Sequence, residues 1–107
     1  MKRGEVWTVS GAGYAGKPRP AVIVQSELYE GLESLTLCLF TTNDTAAPDF
    51  RIPVNPSESN GLTAPSWLMA DKMLIVSKKH LGRKIGTLAG DDMTALNQAM
   101  IVFLGIG

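Results

Sequence analysis

Pro18 and Pro20 bracket Arg19 and lead directly into Ala21-Val22-Ile23-Val24-Gln25. Each proline fixes its own φ and pushes the residue before it into extended geometry. The stretch from Gly16 to Pro20 is therefore stiff, extended chain feeding an apolar run of strand character. That run does not alternate with polar residues, which predicts a strand from Pro20 to Gln25 buried on both faces. Arg19 sits at its mouth. Its guanidinium is a suitable clamp for a phosphate or carboxylate, because a planar fork on stiff backbone needs little further ordering. The other reading is an arginine that ends a loop and reaches into solvent.

The same extended character continues for most of the chain. Gly4 to Ser10 alternates as a half-buried strand does. Ser34 to Thr42 is rich in β-formers and runs into Asn43-Asp44, a turn signal. Pro48 to Val54 holds a short strand carrying Arg51, and Pro53 marks it as an edge. After the turn-rich Asn55 to Ala64, Pro65 to Lys72 reads as another strand, which Met73 to Ser77 extends. Lys78 to Leu81 reads as one helical turn, and Arg83 to Leu88 as the last strand. From Gly90 the period changes. Met93, Leu96, Asn97, Met100, Phe103 and Leu104 fall at helical spacing, so the chain closes with an amphipathic helix of about four turns. Asp91 and Asp92 favour its start and Gly105 its stop.

With 11 glycines and 6 prolines in 107 residues, short strands joined by tight turns are expected rather than a helical bundle. The length suits one domain, residues 1–107, with a single modest core. The fold class is mainly β with a C-terminal α-helix. No apolar run approaches the ~18 residues of a membrane span, and no apolar signal region follows the first five residues. The lone Cys38 cannot form an intrachain disulfide, fits a reducing cytoplasm, and reads as core filler.

Ten basic and ten acidic residues balance to zero net charge, which excludes a general nucleic-acid binder on bulk charge. The distribution is uneven. Lys2, Arg3, Lys17 and Arg19 cluster early, and Lys78, Lys79, Arg83 and Lys84 cluster near residue 80. A local basic groove forms if the fold brings those clusters together. His80, the only histidine, reads as a surface residue. With one cysteine and one histidine there is no zinc set and no two-histidine ribonuclease site.

Several side chains are placed for chemistry, each with a plainer reading beside it. The glycine-rich Gly11 to Gly16 lacks the ending of a phosphate loop and reads as a mobile lid or groove edge. Tyr14 at its tip either stacks on a base or packs down on the fold. Thr41 and Thr42, where a core strand meets a loop, either contact a ligand or simply terminate a strand. Asp71 shares a strand face with Trp67 and Met69, where desolvation is expected to raise its pKa and suit it to general-base work. Alternatively it pairs with a nearby Arg or Lys.

Taken in order, these landmarks resemble the MazF/PemK family of bacterial toxins. The resemblance starts with Lys2-Arg3-Gly4-Glu5-Val6-Trp7 and Gly16-Lys17-Pro18-Arg19-Pro20-Ala21-Val22-Ile23-Val24. It continues through Cys38-Leu39-Phe40-Thr41-Thr42, Asn60-Gly61-Leu62, Ser66 and Asp71-Lys72, then Ile85-Gly86-Thr87-Leu88 and Phe103-Leu104-Gly105. Each piece is short, and together they cover the chain at family spacing. The resemblance implies an SH3-like barrel assembled as a homodimer. It implies metal-independent and cofactor-free cleavage of single-stranded mRNA at short sequences, and a cognate antitoxin protein that blocks the groove.

Cutting RNA without a metal uses the substrate's own 2′-hydroxyl as nucleophile and leaves a 2′,3′-cyclic phosphate and a 5′-hydroxyl. The protein must then move protons and stabilise an anionic phosphorane. Arg19 matches the family's arginine before proline and is expected to hold that anion. Thr41 matches the strand-end threonine that hydrogen-bonds the scissile phosphate, and Asp71 an aspartate that some members use as base. Tyr14, Lys17, Thr42, Arg51, Trp67 and Lys72 are the candidates for RNA contact. Two positions depart from the pattern. Some members carry arginine where this chain has Met69, and a basic or amide residue where it has Trp67. The chain then leans on Arg19 with Thr41, and Trp67 becomes a stacking platform for a base. Two other readings keep the fold: a gyrase-poisoning toxin of the CcdB type, and a non-catalytic binding module. The first has no need of a phosphate clamp at Arg19 and Thr41, and the departures at 67 and 69 favour the second.

Overall fold

The computed structural model describes residues 1–11, 17–43 and 49–107. Strands β1 (Glu5–Val9), β2 (Arg19–Ile23), β3 (Ser34–Thr41), β4 (Arg51–Val54), β5 (Ser66–Ser77) and β6 (Leu81–Thr87) are followed by helix α1 (Gly90–Leu104). They form one sheet in the order β4-β5-β3-β2-β1-β6, antiparallel throughout. The segments expected at 65–72 and 73–77 are a single strand. Its pairing with β3 slips between Cys38 and Phe40, whose partners are Met73 and Leu68. The extra β5 residues make a bulge, which bends the strand. On one side of that bend β5 pairs with β4, and on the other it follows the start of β3.

Alternation along β3 divides the interior in two. Cys38 and Phe40 pack with Val22, Leu68, Leu96 and Ala99 between the sheet and α1. Leu35, Leu37 and Leu39 pack with Val9, Ala21, Ile23 and Met69 on the opposite face. Successive residues Ala21, Val22 and Ile23 therefore enter different cores, which is why that run carries no polar alternation. Cys38 is fully buried, and burial is the main reason its thiol is pushed up to about 12. The Asp71 charge adds to that rise and the Arg3 charge opposes it.

The sheet bends toward the expected barrel without closing, since β4 and β6 are its two edges. The turn-rich segment after β4 crosses to the β6 edge, where the Thr87 amide donates to the Ser59 carbonyl at 2.6 Å. Asn60, only 3% exposed, ties this segment together. Its Oδ1 accepts from the Ser57 and Leu62 amides at 3.0 Å each, and its Nδ2 donates to the Asn55 carbonyl at 2.9 Å. Gly61 follows with φ 71°, and a Cβ there would lie 2.0 Å from the Ile85 carbonyl oxygen.

Helix α1 ends at Gly105 as its sequence indicates, with φ 70°. Arg3 ties it to the sheet by donating to the Val24 carbonyl at 2.9 Å and to the Asn97 carboxamide. The apolar stripe outlasts the core, leaving Phe103 and Leu104 about half exposed and Ile106 more so. Among the described residues no helix is long and apolar enough to cross a membrane. A short 3-10 turn at Glu27–Tyr29, absent from the sequence reading, is capped by Ser26, whose Oγ accepts from the Leu28 amide.

Gly61→Ala combines left-handed backbone with a clash against β6. It is expected to destabilise the fold by at least about 1–3 kcal/mol, seen as a lower urea midpoint at unchanged m-value. An unshifted midpoint would contradict the clamped turn.

Candidate active site

The β1–β2 register pairs Val9 with Arg19, and the β2–β3 register pairs Ala21 with Leu39. Carried two residues further, the second register sets Arg19 across from Thr41. Thr41 is itself paired with Trp67 of β5, and Trp67 with Pro53 of β4. Directly opposed residues share a face with Cβ atoms about 4.5–5.5 Å apart. Thr41 and Trp67 are thus directly opposed, and the β2–β3 register, continued beyond its last pair, brings Arg19 toward the same row at one end of the sheet. The proline bracket fixes the first position, because it holds Arg19 extended where β2 begins. Arg19 is exposed at that mouth and Trp67 is half-buried.

Thr41 is 8% exposed, and its Oγ1 accepts from the Asn43 amide at 3.2 Å. That bond orients the hydroxyl and leaves its proton to donate. Thr42 is exposed beside it. Lys17, also exposed, lies two residues before Arg19. Tyr14 and the rest of 12–16 lie outside the described residues.

Two residues further along β5, Met69 is paired with Arg51 of β4. Arg51 does not reach out to solvent as an RNA-contacting side chain would. Its Nε and Nη2 donate to Oδ1 and Oδ2 of Asp71 at 2.8 and 2.9 Å, and both side chains are about nine-tenths buried or slightly less, at 13% and 14% exposure. Its guanidinium carbon also lies 5.9 Å from the Phe50 ring centre. This bidentate pair corrects the expectation of a raised Asp71 pKa. Burial does push the carboxyl upward. The hydrogen bonds from Arg51 and from its own backbone amide, with the charges of Arg51 and Lys72, outweigh it and hold the carboxyl below its ordinary value. Asp71 is therefore kept ionised, and Lys72 next to it points to solvent as an exposed residue.

The two basic clusters come near one another only through Arg83 and Arg19. Because β6 pairs with β1, residues 81–84 lie one strand beyond β1 from Arg19. Arg83 lines a groove of about 280 Å³ together with Thr8, Pro20, Thr42, the 61–64 segment, Ser66 and Ile85. Lys84 is occupied otherwise, 3.3 Å from Glu5, which also accepts from the Trp7 indole at 2.9 Å. Thr8 and Thr63 were not singled out by the sequence reading, which named Arg83 only within the basic cluster near residue 80. Only the strand register, and the basic run near residue 80, could have pointed to them. Among the described residues no three His, Cys, Asp or Glu side chains gather as a metal set would.

Residues 2–104 match the family described as PemK-like, MazF-like toxin of type II toxin–antitoxin system. A protein from Mycolicibacterium smegmatis described as a probable endoribonuclease MazF is 42% identical over 107 residues, covering 99% of this chain and 98% of that one. The fold superposes on the Mycobacterium tuberculosis toxin MazF-mt6 with a TM-score of 0.81 at 25% identity, covering 96% of this chain and 98% of the other. It superposes equally well on a mycobacterial endoribonuclease solved with its cognate antitoxin, with a TM-score of 0.84 at 24% identity and coverage of 100% and 97%.

The Arg51–Asp71 pair sets a pH dependence. A carboxylate with a lowered folded-state pKa stabilises the protein above its unfolded value of 3.8, and that stability is lost as pH falls through the folded value. Arg51→Gln is expected to raise the Asp71 pKa measured by NMR titration and to flatten the loss of stability below about pH 4. An unmoved Asp71 titration would contradict the pairing.

Proposed function

The chain belongs to the PemK-like, MazF-like toxin family of type II toxin–antitoxin systems, and from that premise we propose that it cleaves single-stranded mRNA at short sequences through Arg19 and Thr41. The observation that carries this reading is their placement on neighbouring strands at one exposed sheet end.

The reaction is a transesterification within the substrate. The 2′-oxygen attacks phosphorus and the bond to the 5′-oxygen breaks. The 2′-hydroxyl loses its proton to water, and the leaving 5′-oxygen takes one from water. What the protein adds is position and charge. Arg19 presents two parallel donors to the non-bridging oxygens, whose negative charge grows toward the phosphorane. Thr41, already oriented by the Asn43 amide, donates its hydroxyl proton to the same phosphate. An arginine stays protonated at any working pH, so Arg19 acts as an electrostatic clamp rather than as the proton donor. Asp71, held ionised by Arg51, is a weak base, and its part is to anchor Arg51 beside the row. Trp67 offers its ring to a neighbouring base, with Lys17, Thr42 and Lys72 along the RNA path.

The partners follow from the same reading. A cognate antitoxin is supported by the mycobacterial endoribonuclease solved with its antitoxin and by the MazE–MazF complexes of Deinococcus radiodurans, which share this fold at TM-scores of 0.84 and 0.80. A homodimer is supported by the half-exposed apolar end of α1, where Val102, Phe103 and Leu104 face solvent in the single chain. The site of action is the cytoplasm, where the mRNA is.

Arg19→Ala is expected to lower kcat/KM for cleavage by about 10²–10³-fold, the usual effect of removing one donor to a developing anion. Thr41→Val should lose less, and circular dichroism should show both variants folded. A folded Arg19→Ala protein that cuts at the wild-type rate would overturn the assignment. A folded wild type that leaves RNA intact would favour the non-catalytic reading.

A further inference from the structure

The groove beside Arg83 has no part in the chemistry just described, yet it is built from the neighbours of the residues that do. Pro20 and Thr42 line it, and each is adjacent in sequence to Arg19 or Thr41. Adjacent strand residues face opposite sides of the sheet, so the groove lies around the rim from the Arg19–Thr41 row. The lining of the groove therefore begins one residue along the chain from the row on each of the two strands.

We propose that this groove receives the base of a nucleotide flanking the scissile phosphate and that Arg83 reads it. The inference rests on the ribonuclease reading of the Arg19–Thr41 row. At about 280 Å³ the groove falls just under the ~300–1,000 Å³ of pockets for drug-sized ligands, a scale that suits one heterocycle. Leu62, Ile85 and Pro20 give it apolar surface against which a ring can lie flat. The guanidinium of Arg83 is exposed and makes no hydrogen bond or ion pair with the other described residues. It carries donors only, so it selects a base by its acceptors, and the O6 and N7 pair of guanine fits its fork best.

The walls are fixed rather than loosely draped. The Arg83 amide donates to Thr8 Oγ1 at 3.0 Å, which holds the Thr8 hydroxyl at the groove edge. That contact depends on Gly82, because a Cβ there would come within 2.3 Å of the same oxygen. The facing wall, residues 61–64, follows from the Asn60 knot and its seat on β6. A preformed pocket of this kind discriminates between bases by which acceptors it sets against the Arg83 donors.

The test compares wild type, Arg83→Ala and Thr63→Val on a long RNA with mapped cut sites, and on short oligoribonucleotides varied at one position beside the cut. Both substitutions are at exposed positions, so both proteins should fold, which circular dichroism checks. The expected result is continued cutting by Arg83→Ala with preference at a single flanking position relaxed at least about fivefold. Arg19→Ala, in contrast, loses cutting on every sequence. An unchanged cut motif and rate in Arg83→Ala would overturn the groove while leaving the ribonuclease reading intact. If wild type cuts nothing, that reading falls. The groove is then judged by affinity for 2′-deoxy-substituted oligonucleotides varied at the same position. Loss of a wild-type base preference in Arg83→Ala supports it, and no preference in wild type overturns it.

Discussion

The antiparallel register of β3 against its two neighbours is the constraint on which the remaining structure depends. It places Thr41 opposite Trp67 and, continued, opposite Arg19. A slip of one residue would turn the leucines at 35, 37 and 39 away from their core and move Thr41 to the other face. The register is held by burial, since alternate residues of β3 fill two different cores and neither can be given up. The residues proposed to act at the sheet end are thus positioned by apolar packing several residues away. The proline bracket adds the last element, a stiff approach that brings Arg19 to the mouth of β2.

The arginines differ in exposure, Arg51 lying largely buried in an ion pair and Arg19 standing at the surface. Arg51 and Asp71 satisfy each other through two short hydrogen bonds at low exposure. Removing Arg51 would leave the Asp71 carboxylate without its two strongest bonds, so the pair is best seen as a strut between β4 and β5. Arg19 stands at the exposed end of β2, where an incoming phosphate can meet it. Glu5 shows the same economy on the far strands. Burial pushes its carboxyl up, but bonds from Trp7 and the Lys2 amide, with Lys84 nearby, bring it down to about 2.

Much of this could be read from the residues. The strands, the change of period at Gly90 and the stop at Gly105 follow from alternation, helical spacing and turn chemistry, and the structure shows them with boundaries shifted by a few residues. The family landmarks named Arg19 and Thr41, and the structure sets them in one row. Other features were out of reach because they are products of pairing between distant strands. The bulge that fuses 66–77 into one bent strand has no local signature. The direction of the Asp71 shift depended on a partner twenty residues away, and alternation could name only its apolar neighbours Trp67 and Met69. The groove walls come from β1, β3, β6 and the Asn60 turn, which no spacing rule links.

The central claim is that the substrate's own 2′-hydroxyl is the nucleophile and that the protein supplies only position and charge. The most direct measurement uses a defined oligoribonucleotide carrying one cut site, and a twin with a single 2′-deoxy substitution on the 5′ side of that site, with product ends identified by mass. The account predicts a 2′,3′-cyclic phosphate and a 5′-hydroxyl from the first and no cleavage of the second. Cutting of the deoxy twin, or a 5′-phosphate on the product, would contradict it.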